Sequence, residues 1–202
     1  MKKILVLTIM ICLSLLTASL ALAATSAPAK PIRLGASLGF IKPLGDYDGA
    51  KFKIGPTFGL EGRMLVDRNL GVGGFLDYTT FSSEKKSFGA VDVKVDMKTT
   101  IIGALGTYEH PVDSKMTLYG TGKLGLAFTT AEAVATGAVN ATATDTGRTW
   151  ALILEGGGRY WLTETVDVGV AARYSYISQS VDRAGNVQLG GLSLVGLLGF
   201  HF

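Results

Sequence analysis

Glu155 and Arg173 are among a small set of ions that sit singly in otherwise apolar or glycine-rich stretches, together with Glu61, Arg63, Asp77, Lys123, Arg159, Asp167 and Arg33. Isolated acids and bases of this kind can do general acid/base work or bind charged ligands, or they can neutralise one another inside a fold. The remaining reactive groups are few. The histidines are His110 and His201, and the single cysteine is Cys12. A His/Cys metal site therefore has too few ligands. Gly120-Thr121-Gly122-Lys123 lacks the spacing of a phosphate loop and the helix that should follow it. No catalytic constellation and no cofactor are implied, and His201 reads as a solvated residue near the terminus.

The elements that must position these ions begin after a leader. Met1-Lys2-Lys3, an apolar run from Ile4 to Leu22 and the small residues around Ala23 have the order of a secretory signal peptide. Residues 1–23 are expected to be removed, with cleavage after Ala23 or Ala24, leaving 24–31 as a short linker and 32–202 as one domain. The full chain carries 19 Lys and Arg against 16 Asp and Glu, so losing Lys2 and Lys3 lowers the net charge from +3 to +1. That near-neutral balance excludes a nucleic-acid binder. No apolar run after the leader approaches the roughly 20 residues of a membrane helix.

Period-two alternation with β-branched, aromatic and glycine residues predicts eight strands, near 32–40, 53–66, 70–82, 92–108, 116–130, 148–162, 166–180 and 187–202. These lengths match or exceed the roughly 9–11 residues with which a tilted strand crosses a bilayer. Connections alternate between short (67–69, 110–115, 163–165) and long (41–52, 83–91, 131–147, 181–186). The 131–147 connection is low in complexity and reads as a mobile loop. This alternation predicts an eight-stranded antiparallel up-and-down transmembrane β-barrel with both termini on the short-turn, periplasmic side. Pro56 is expected at the outer margin of its strand, and strand four is expected to extend beyond the bilayer.

Parity decides which way the ions point. One face carries Leu152, Leu154, Val168 and Val170, and aromatics gather on it near strand ends: Phe40, Tyr78, Phe128, Trp150, Tyr160, Tyr174 and Tyr176. These form an expected interfacial girdle. The other face is mostly Gly, Ala, Ser and Thr with the nearly balanced ions, as a narrow lumen requires. A hairpin centred on Glu164 places Glu155 directly across from Arg173 and Asp167 diagonally beside Arg159. The ions are read as structural pairs in a plugged barrel; the alternative is a switchable gate in which Lys123 is the second partner of Glu155.

The pattern resembles the small outer-membrane barrels of Gram-negative bacteria, the OmpA transmembrane-domain, OmpX and opacity-protein group. The resemblance covers residues 32–202 and implies an assembly signal, read by the barrel assembly machinery, at Leu194, Leu198, Phe200 and Phe202, with Gly196 interrupting the series. It implies a non-enzymatic outer-membrane protein contributing to envelope integrity or surface interaction. Its expected partners are outer-membrane lipid and lipopolysaccharide, with periplasmic chaperones during biogenesis; the oligomeric state stays open. Other readings are OmpW-like passage of small hydrophobic molecules, a small gated pore, a soluble lipocalin-like binder, and a lipid A-modifying barrel, whose His-x-Ser arrangement is absent. Because the sequence stops after the eighth strand, cell-wall tethering is not expected.

Overall fold

Alternation in the sequence becomes strand throughout the computed structural model, which describes residues 31–44, 52–137, 140–181 and 185–202. The expected leader and its cleavage site lie outside the described residues. The strands are β1 (Ile32–Pro43), β2 (Gly55–Leu65), β3 (Leu70–Ser82), β4 (Lys86–Phe88), β5 (Val91–Pro111), β6 (Met116–Gly137), β7 (Ala141–Trp161), β8 (Val166–Val181) and β9 (Gly185–His201). All pairings are antiparallel, and the order β3-β2-β1-β9-β8-β7-β6-β5 is closed by pairing of β3 with β5. Eight strands thus form a barrel, and closure removes the sheet edges that lipid cannot solvate. The three-residue β4 stands outside the ring and pairs only with β5.

The short connections are tight turns sealed by their own side chains. Asp113 Oδ1 accepts from the amides of Lys115 and Met116 at 2.7 and 2.8 Å. Thr163 Oγ1 accepts from those of Thr165 and Val166 at 3.2 and 3.1 Å. Such local bonds satisfy backbone groups where the chain reverses.

The other end differs from expectation. The 131–147 stretch is not a long loop: β6 runs to Gly137 and β7 starts at Ala141, with pairing maintained out to Ala135 opposite Ala141. Alternating Ala, Thr and Val pair as well as bulkier residues once both flanking strands set the register, and Gly137 turns the chain with φ of 132°. The 83–91 connection likewise contains β4, which folds back on β5 through Gly89 at φ 62°. β5, β6 and β7 reach 21, 22 and 21 residues, about twice what a crossing needs. They therefore form a sheet that projects beyond the barrel at the long-loop end. Pro56 sits second in β2, opposite Phe40, where its missing N–H costs little.

Candidate functional site

The two faces of the wall separate cleanly. Leu34, Leu60, Leu124, Leu152, Leu154 and Val170 are exposed on the outside, while Glu155, Arg159, Asp167 and Arg173 are buried inside. An outer surface this apolar is unstable in water and suited to lipid. Of the expected girdle, Phe40, Tyr78, Phe128, Trp150, Tyr160 and Tyr174 are exposed on that outer face, and Tyr176 is half-buried. Leu194, Leu198, Phe200 and Phe202 face the same way.

Inside, the lumen is divided along its axis. Towards the tight turns it holds ions: Arg33, Arg63, Lys123, Arg159 and Arg173 against Glu61, Asp77, Glu109, Glu155 and Asp167. Among the described residues these cations and anions balance, so this half of the interior is formally neutral. Towards the long connections the lumen is filled by Ile41, Phe81, Met97, Ile101, Ile153 and Ile177, a contiguous apolar cluster.

The ionic half is one connected network. Glu155 stands opposite Arg173 in register. It accepts from Arg173 Nε at 2.7 Å and from the Tyr119 hydroxyl at 2.7 Å, and it lies 3.2 Å from Lys123 Nζ. Lys123 also donates to Glu61 at 3.2 Å. Glu61 in turn accepts from Arg33 Nη1 at 2.7 Å. Arg173 extends further, to Asp77 at 3.3 Å and to the Ser37 hydroxyl at 3.2 Å. Each charge meets an opposite one, which is the condition for keeping ions in a low-dielectric interior.

Two residues join this network that sequence reasoning places elsewhere. Glu109 falls just past the end of an expected strand, but β5 continues to Pro111 and carries it inward. There it pairs with Arg63 and, at 3.1 Å, with Arg159. His201 is not solvated: only 5% exposed, it hydrogen-bonds Asp167 through Nε2 at 2.6 Å, and its ring lies against Trp161 with centroids 4.2 Å apart. Parity was the available signal, since both residues are odd-numbered in strands whose odd positions point inward. Asp167 does stand diagonally beside Arg159, which is opposite Gly169 in the register, but the two do not bond to each other. Asp167 is held bidentately by Arg33, and Arg159 turns instead to Glu109 and over the Tyr119 ring at 4.0 Å. The diagonal across one hairpin mattered less than the next strand but one, which long side chains reach over β9 and over β6 inside the narrow lumen.

Inward glycines make the cross-lumen contacts possible. A Cβ at Gly199 would stand 2.3 Å from Asp167 Oδ2 and 2.4 Å from Arg33 Nη2; one at Gly59 would stand 2.1 Å from Asp77 Oδ1. Neither glycine has positive φ, so what they contribute is space. Among the described residues no group of three or more His, Cys, Asp or Glu is placed to hold a metal. With every carboxylate of the ionic network engaged by a cation, the chemistry legible here is charge neutralisation.

A closed eight-stranded wall with a lipid-facing exterior and a charged interior defines a small outer-membrane β-barrel. Residues 9–193 match the family model of the outer membrane protein beta-barrel domain, and the chain belongs to that family. It is an integral outer-membrane protein. Neisserial surface protein A has a similar fold, with TM-score 0.51 and 20% identity over 85% of this chain and 97% of that one. A major outer membrane protein from Thermus thermophilus gives TM-score 0.51 at 13% identity, covering 87% and 100%. The outer membrane protease OmpT from Escherichia coli gives 0.50 at 11%, covering 89% and 100%. Likeness at these identities concerns the fold. No curated protein matches the chain by sequence.

Proposed function

We propose that this barrel is non-enzymatic and works at its surface, contributing to envelope integrity or surface interaction, and that its lumen is a structural plug. The observation that carries this reading is the pairing of a filled lumen with a projecting sheet. Among the described residues, 141–148 of β7 pair with β6 alone, because pairing of β7 with β8 begins at Ala151 opposite Ile177. A strand edge of this kind offers unpaired backbone groups to a partner. In this reading the tight turns and both termini face the periplasm, and the projecting sheet faces outward. Leu194, Leu198, Phe200 and Phe202 then serve as the signal for the barrel assembly machinery.

The test joins two measurements. Refolded barrel in a planar bilayer is expected to show no steady conductance. A variant whose β6–β7 hairpin is shortened beyond Thr130 and Thr146 is expected to insert normally but fail to restore surface adhesion or detergent resistance to a deletion strain. Steady conductance, or full complementation by the shortened variant, would overturn the proposal.

A further inference from the structure

The outer wall of β3, β5, β6 and β7 changes character row by row, and the register fixes each row. Leu76, Ile102, Leu126 and Trp150 are aligned across the four strands. The next outward row towards the long-loop end is Tyr78, Thr100, Phe128 and Arg148, and the one beyond is Thr80, Lys98, Thr130 and Thr146. The wall therefore passes from a mainly aliphatic row that ends in Trp150, through a row of Tyr78 and Phe128 that already carries Arg148, to a row of Lys98 and threonine hydroxyls. A bilayer makes the same passage from acyl chain to headgroup.

Lys98 and Arg148 are both exposed at that boundary. They stand on strands two apart and one row apart, roughly 12 Å between Cα atoms for strands spaced about 4.8 Å with a rise of about 3.4 Å per residue. That gap is within the combined reach of a lysine and an arginine side chain. Neither forms an ion pair among the described residues: the acids of the next row out on this face are Asp96, which attracts Lys98 but is bonded by Lys94 at 2.9 Å and by the Ser82 hydroxyl at 2.5 Å, and exposed Glu132 opposite it. Arg148 is steadied by the Phe128 ring, 5.6 Å below its guanidinium. Thr130 and Thr146 add hydroxyl donors in the row of Lys98.

We propose that Lys98 and Arg148 hold the phosphate of a lipid headgroup in the leaflet at the long-loop end, with the acyl chains of that lipid lying along Ile102, Leu126 and Trp150. A lipid is favoured over a free anion because the cations sit directly above a wall that only acyl chains can cover. The site depends on the barrel's place in a membrane and is independent of what the projecting sheet binds.

Trp150 reports on the site from the row beneath. Full-length barrel is reconstituted in phosphatidylcholine vesicles containing a minor fraction of phosphatidic acid brominated on its acyl chains, and Trp150 quenching is compared with that from brominated phosphatidylcholine at the same fraction. A Trp150→Phe variant supplies the Trp161 background. Phosphatidic acid is expected to be enriched at Trp150, about fivefold per cation. The Lys98→Gln/Arg148→Gln double variant, which retains heat-modifiable mobility, is expected to quench equally with both lipids, and inorganic phosphate is expected not to compete. Equal quenching by the two lipids in the unaltered protein, an unchanged double variant, or displacement by inorganic phosphate would each overturn the proposal.

Discussion

Arg33 and Asp167 belong to strands that do not touch, yet Arg33 Nε and Nη2 donate to the two oxygens of Asp167 at 2.8 Å each. The strand between them is β9, and the bridge passes over Gly199, which stands opposite Asp167 on one side and Gly35 on the other. The pair thus ties the first strand to the eighth across the ninth, at the seam between the two ends of the chain. His201, opposite Arg33 in the register, adds a third bond to the same carboxylate.

Gly199→Ala tests that seam. The added methyl would stand 2.3–2.5 Å from atoms of both partners. Arg33 must then swing away and leave Asp167 buried without its cation, a change that costs about 3 kcal/mol. The urea midpoint of the barrel refolded in lipid vesicles should fall accordingly. Gly196→Ala, whose methyl would meet no atom nearer than 3.8 Å, should leave it unmoved.

Glu155 and Asp77 both pair with Arg173 but are not equally bound. Glu155 has Lys123, Arg173 and Tyr119 as partners, whereas Asp77 has a single contact at 3.3 Å and its Oδ2 is buried without a hydrogen bond. Glu155→Gln should destabilise by about 3–5 kcal/mol, because it removes the carboxylate that Lys123 and Arg173 share and leaves them only Glu61 and the longer Asp77 contact. Asp77→Asn should cost about 1 kcal/mol. Urea unfolding of the two variants gives the comparison, and the reverse order would mean that the network is centred elsewhere.

Much of this was legible from residue parity alone. The alternation that puts Leu152 and Leu154 on one face and Ile153 and Glu155 on the other needs no tertiary information, and the turn at Glu164 sets the Glu155–Arg173 register by counting. What parity cannot supply is reach beyond the neighbouring strand. Arg33 finds Asp167 over β9, at the seam where the barrel closes, and Arg63 finds Glu109 over β3, each spanning one intervening strand inside the curved wall. Strand ends were also hidden. The low-complexity stretch around Thr136 has no strong alternation of its own and is held as strand by its pairing with β5, where Asp92 stands opposite Thr136. His201 and Glu109 were misplaced for a related reason, since each lies within a residue or two of a strand end.

His201 is open to a substitution that separates its two contacts. His201→Phe keeps a ring against Trp161 and removes the bond to Asp167, while His201→Ala removes both. Losing the hydrogen bond should cost about 1–3 kcal/mol. The stacking contact adds roughly 0.5–1.5 kcal/mol, so the alanine variant should be the weaker of the two. Trp161 fluorescence supplies an independent readout. Its emission should shift to the red in His201→Ala and change little in His201→Phe.

The depth of the wall in the membrane can be read by moving a charge along a single strand. Leu152 and Thr146 both lie on the outer face of β7, six residues apart, with Arg148 and Trp150 between them. Leu152 sits below the aromatic rows, where an arginine has no water within reach, and Leu152→Arg should destabilise by about 2–4 kcal/mol. Thr146 sits in the row of Lys98, beyond the aromatics, and Thr146→Arg should cost about 0–1 kcal/mol. Arg148, natural at the intermediate depth, sets the boundary that the two variants must straddle. Urea unfolding in vesicles of matched thickness measures both. Equal costs would show that the change from aromatic to cationic rows along β7 does not mark the edge of the hydrocarbon layer.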